Sequence, residues 1–103
     1  MKALIQEFSD YLRIEKRNSP HTVSAYRRDL SRFSAEFACQ KVDSVTTANI
    51  RDFLISLREQ GLSPASVARS LSSIKSFFKY LCQDKQLQDN PAEILETPKR
   101  WRK

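Results

Sequence analysis

Glycine and histidine each occur once in 103 residues, and cysteine occurs twice. With so little glycine and 40% hydrophobic residues, the chain is neither low-complexity nor disordered. No run of about 18 apolar residues exists, so no helix is expected to span a membrane. The opening MKALIQEFSDYL has acidic residues where a secretory signal needs an unbroken apolar stretch, so a cytoplasmic protein is expected. His21 alone cannot make a histidine-rich metal site. Cys39 and Cys82 form no metal-ligand spacing and are expected as reduced, partly buried thiols. No cofactor is expected.

What is present is positive charge. Lysine and arginine number 18 against 12 acidic residues, a net charge of +6 with a pI near 9.6. That balance favours a polyanionic partner, although where the charge sits decides more than its total. The length suits one domain with one core.

Helical periodicity recurs along the chain, and no segment alternates as a strand would. A first helix is expected over residues 2–17, with Leu4, Ile5, Phe8, Tyr11 and Leu12 inward. Ser19 is a suitable N-cap and Pro20 a suitable first residue for a second helix reaching about residue 38. Its stripe is Val23, Tyr26, Leu30, Phe33 and Phe37. After a polar connection at 40–45, a third helix capped by Thr46 or Thr47 turns Ile50, Phe53, Leu54 and Leu57 inward and stops at Gly61. Ser63-Pro64 opens a fourth helix to about residue 83, with Val67, Leu71, Ile74, Phe78 and Leu81 inward. Asn90-Pro91 with Glu93 suggests a short last helix opened by a capping box. The expected fold is all-α: four main helices plus a short C-terminal one.

A weak internal repeat runs through this pattern. Ser19-Pro20-His21-Thr22-Val23 and Ser63-Pro64-Ala65-Ser66-Val67 open helices two and four alike. Leu30 then matches Ile74, Phe33 matches Phe77, and Phe37 matches Leu81. Two helix hairpins of similar build can pack as a pair, with their second helices side by side.

Between Ser63 and Gln83 the fourth helix carries Arg69, Lys75 and Lys79 and no acidic residue. At about 100° per residue, the face opposite its stripe centres on Arg69, Ser72, Ser76 and Lys79, flanked by Ser66 and Ser73. Small hydroxyl side chains there would let a phosphate backbone or groove come close. The second helix offers Ser24, Arg28, Ser31 and Arg32, with His21 and Thr22 at its N-terminus, where the backbone amides favour anions. Asp29 and Glu36 are expected further round. Helices one and three mix signs. A solvated cationic face is the plain alternative for these residues. The phenylalanines sit at core spacing and are expected to pack rather than stack on bases.

The segments SPHTVSAYRRDLSRF, LSPASVARSLSSIKSFFKYL and DNPAEILETPKRWRK, in this order and spacing, resemble the N-terminal core-binding domain of Xer-type tyrosine recombinases and phage integrases. The resemblance covers essentially the whole chain and implies a SAM-like bundle whose second and fourth helices meet double-stranded DNA at a recombination core site. It places Thr22, Arg27 and Arg28 of the first segment, and Ser66, Arg69, Ser73 and Lys75 of the second, at expected DNA contacts, to which the outer face of helix two adds Arg32. Periodicity puts Arg27 and Lys75 at the edge of the buried stripe, so an internal role stays open for both. Residues 1–95 would form the core-binding unit, and 96–103, with Lys99 and Arg100, a basic linker toward a catalytic domain.

The family's chemistry, strand cleavage by a tyrosine nucleophile, belongs to that second domain, so no catalytic residue is expected here. Other implied partners are the chain's own catalytic domain and recombinase protomers at synapsis, with no membrane. A helical protein-interaction module is the alternative reading. A helix-turn-helix regulator fits less well, because the fourth helix is long and lacks a tight turn before it.

Overall fold

The computed structural model describes residues 1–38, 40–84 and 87–98. Cys39 and the tail from Lys99 onward, including Arg100 and Trp101, lie outside the described residues. Four α-helices follow one another: α1 (Lys2–Ile14), α2 (Pro20–Glu36), α3 (Thr47–Glu59) and α4 (Pro64–Asp84), with a 3₁₀ turn at Val42–Ser44. No strand occurs among the described residues, and no described helix is long and apolar enough to cross a membrane.

The helix ends follow local chemistry. Ser19 Oγ accepts from the Thr22 amide at 3.2 Å, and Ser63 Oγ accepts from the Ser66 amide at the same distance. Each serine thus satisfies an amide that has no carbonyl of its own. Thr46 and Asn49 cap α3 reciprocally: the Asn49 amide donates to Thr46 Oγ1 at 3.1 Å, and the Thr46 amide to Asn49 Oδ1 at 3.0 Å. At the other end Gly61 has φ +97, and the Leu62 amide reaches back to the Leu57 carbonyl at 3.1 Å. That is the left-handed C′ stop expected of this glycine.

Two boundaries differ from expectation. α1 ends at Ile14 rather than near residue 17. Arg17 adopts φ +53, and the Asn18 amide turns back to the Leu12 carbonyl at 3.0 Å. The reversal brings Ser19-Pro20 into place to start α2. The last short helix is instead a run of turns at residues 91–94. The Asn90 side chain takes the Ala92 amide at 2.9 Å, while Glu93 is exposed. The Pro91 carbonyl, which a helix would bond to the Leu95 amide, accepts from the Thr47 hydroxyl at 2.6 Å, and Leu95 bonds Ala92 instead.

α4 is the axis of the bundle and packs against each of the other three helices, and α2 packs against α1 and α4. The repeat is realised as this α2–α4 pairing: Leu30, Ile74, Phe33 and Phe77 are all fully buried. Full burial of such a side chain stabilises the fold by roughly 1.5–3 kcal/mol. Aromatic rings join the layers. Phe8 of α1 meets Phe77 edge-on at 5.7 Å, and Phe33 of α2 meets Phe53 of α3 at 5.4 Å. Phe77 and Phe78, 5.5 Å apart, link the two groups. These rings are committed to packing, as their spacing required. Ala92, Leu95 and Thr97 are buried too, so the chain stays on the core through the turns.

Candidate nucleic-acid interface

On α2, His21, Ser24, Arg28, Ser31 and Arg32 are exposed. On α4, Ser72 and Lys79 are exposed, and Ser66, Arg69 and Ser76 are partly so. The two helices pack against each other. Tyr26 of α2 lines one cleft with Ser76 and Lys79 of α4, beside Lys16. Further along, Arg69 of α4 pairs with Asp29 of α2. The first acidic residue of α4 is Asp84, at its very end.

The Arg69–Asp29 contact is a fork. Arg69 Nε donates to Asp29 Oδ2 at 2.9 Å and Nη2 to Oδ1 at 3.1 Å. The Asp29 side chain is fully buried, whereas that of Arg69 is 41% exposed. The hydrogen bond to Asp29 pushes the Arg69 pKa up, outweighing the opposing effect of partial burial. The Ser73 hydroxyl lies 3.1 Å from both Asp29 Oδ2 and the Arg69 carbonyl and shares its proton between them. A buried carboxylate is thereby given three donors, which such a group needs.

This arrangement corrects two expectations. Ser73 does not flank the outer face; its exposure is 0%, and it supports Asp29 from within. Asp29 is not further round the surface but in the α2–α4 crossing. The spacing held the signal: Asp29 lies three residues after Tyr26 and four before Phe33, at a core position. Ser73 likewise lies four before Phe77. A polar residue at such a position demands a buried partner, and the pair 29 and 73 are equivalent positions of the internal repeat.

The remaining candidates divide. Arg27 is exposed but lines a groove with Lys2 and Gln6 of α1, on the shoulder of α2 away from α4. Lys75 is partly buried beside Asp89, Asn90 and Glu93, and its carbonyl accepts from the Asn90 amide group at 3.4 Å. Its groove thus carries two carboxylates, and Ser76 and Lys79 line the same groove. Thr22 and Ser66 are equivalent residues in the first turns of α2 and α4, each with its hydroxyl against the capping serine, at 3.0 Å and 3.1 Å. Arg28 and Arg32 are exposed on α2. Lys99 and Arg100 lie outside the described residues.

Among the described residues no group of three or more potential ligands could hold a metal ion. Tyr80 is buried and its phenol is pushed up to about 12, by burial first and then by Asp84, Glu7 and Glu15.

Comparison with known proteins agrees with this geometry. The family described as phage integrase, N-terminal SAM-like domain, matches residues 5–85. The chain is 40% identical over 98 residues to a tyrosine recombinase XerD of Proteus mirabilis, covering 93% of this chain and 31% of that protein. It is also 40% identical over 103 residues to a tyrosine recombinase XerC of Oceanobacillus iheyensis, covering 96% of this chain and 33% of the relative. A XerD of Staphylococcus haemolyticus is 36% identical over 102 residues, covering 96% of this chain and 35% of the relative. The chain thus spans about a third of the length of these relatives. No solved structure matches it. With the family match running from the first turn of α1 to the end of α4, the chain belongs to the N-terminal SAM-like domains of phage integrases.

Proposed function

We propose that this chain is a DNA-binding clamp of a site-specific tyrosine recombinase, laying α2 and α4 against the backbone and groove of a double-stranded core site. The observation that carries the reading is the pair of cationic helices packed side by side. Arg28 and Arg32 of α2 and Arg69 and Lys79 of α4 are exposed or partly exposed, alongside small hydroxyl side chains, and the carboxylate at the crossing, Asp29, is buried and paired. Phosphate contacts of this kind set orientation and make binding salt-dependent.

The relatives' names support the rest of the proposal. A catalytic domain elsewhere in the full protein would cut and rejoin DNA through a phosphotyrosine, and this unit would hold the opposite side of the duplex. Residues 1–95 form the core-binding unit in this reading, and 96–103 begin a basic linker along the DNA. Thr97, inside the proposed linker, is itself buried on the core, so a free linker would begin after it. Contact with other protomers at synapsis and a cytoplasmic setting belong to the same proposal. A protein-interaction module would want a contiguous apolar patch. Among the described residues the exposed large apolar side chains Ile14, Ile55 and Ile94 instead belong to α1, α3 and the turns at 91–94.

Non-specific binding by such a module falls at dissociation constants of about 10⁻⁴ to 10⁻⁶ M at physiological salt. Fluorescence anisotropy with a short labelled duplex tests the face. Arg28→Ala is expected to melt as the parent does, weaken binding about fivefold at low salt and lower the salt slope by roughly one contact. Unchanged affinity and slope would remove α2 from the interface.

A further inference from the structure

We infer that Asp29 is a positioning residue for DNA binding: buried in the α2–α4 crossing, it holds the Arg69 guanidinium with its free edge outward, ready for a backbone phosphate. The inference rests on the DNA-clamp reading and extends it to a residue that cannot itself touch the duplex.

The geometry separates the two edges of the guanidinium. Asp29 engages Nε and Nη2 side-on, at 2.9 Å and 3.1 Å. A guanidinium has five N–H donors in a rigid plane, so the three not used by Asp29 point away from it, chiefly from Nη1. Asp29 is fully buried while Arg69 is 41% exposed, and Arg69 shares a helix face with Ser72 and Ser76. Ser73 steadies the carboxylate from inside the bundle.

A long flexible arginine ordinarily loses rotamer freedom when it grips a phosphate, and here that cost is met on folding. The charge balance makes the idea testable by sign. A carboxylate beside the interface should repel DNA if it does nothing else, so removing its charge should tighten binding. If its work is to aim Arg69, removing it should weaken binding despite the gain in net positive charge.

The experiment measures duplex affinity across a salt series for the parent chain, Asp29→Asn, Arg69→Gln and the double variant, with a thermal melt of each. Asp29→Asn and Arg69→Gln are each expected to weaken binding about tenfold at low salt, the scale of one charge-assisted contact. Each should lower the salt slope by about 0.9, and the double variant should bind no worse than either single one. Tighter binding by Asp29→Asn, or additive losses in the double variant, would overturn the inference. Should Asp29→Asn fail to fold, Arg69→Lys decides, because it keeps the charge and loses the fork. It is expected to bind like Arg69→Gln, and parental affinity would refute the positioning role. Failure of the parent chain itself to bind duplex at low salt would instead sink the clamp reading.

Discussion

Ser70 and Tyr80 are two buried polar side chains on α4 in opposite situations. The Ser70 hydroxyl is buried and has no hydrogen-bond partner among the described residues. An unsatisfied buried hydroxyl costs about 1–3 kcal/mol, and alanine is the better helix former. Ser70→Ala is therefore expected to raise stability by about 1 kcal/mol in urea unfolding, and a loss would mean that the hydroxyl has a partner after all. The Tyr80 phenol is buried near the carboxylates of Asp84, Glu7 and Glu15, and its pKa is lifted from 10 to about 12. The folded chain holds that proton more tightly than the unfolded one. The resulting stability is intact below pH about 10 and is lost as pH rises toward about 12. The melting-temperature advantage of the parent over Tyr80→Phe should shrink across that window, and a constant difference would contradict the assignment. The apolar residues were legible because helical spacing alone places them. Asp29 was harder to read, because a charged side chain at a core position makes sense only once its partners Arg69 and Ser73, at least 40 positions away, are brought to it.

Helix boundaries were readable wherever one residue sets the end by its own chemistry. Ser19, Thr46 and Ser63 cap as their type suggests, and Gly61 occupies the left-handed stop. A Cβ at Gly61 would meet nothing within 4 Å, so the cost of Gly61→Ala is purely conformational. It is expected to be about 1–2 kcal/mol, seen as a lower melting temperature. No change would mean that the turn relaxes out of φ +97. Boundaries were misjudged where the constraint is remote. Arg17 takes a positive φ because the chain must reverse between α1 and α2, and arginine does not advertise that. The segment at 91–94 has the letters of a helix start. Its Pro91 carbonyl, however, is claimed by Thr47 of α3, a competition only the tertiary fold creates.

For the whole molecule, the internal repeat proved more informative than the net charge. The charge of +6 suggests a polyanion without saying where it would bind. The matched openings at Ser19 and Ser63 brought α2 and α4 together, and equivalent residues 29 and 73 touch at their crossing. That pairing joins Arg69 of α4 to Asp29 of α2 and leaves the mixed charges of α3 on a different element. It also puts Lys75, together with Ser76 and Lys79, in a groove with Asp89 and Glu93, and Arg27 in the α1 groove, distinctions the sequence left open. The most direct measurement is an NMR titration of the labelled chain with a short duplex at two salt concentrations. The account predicts shifts centred on Arg28, Arg32, Arg69, Ser72 and Ser76, fading as salt rises. Shifts centred on α3, or none at low salt, would contradict it.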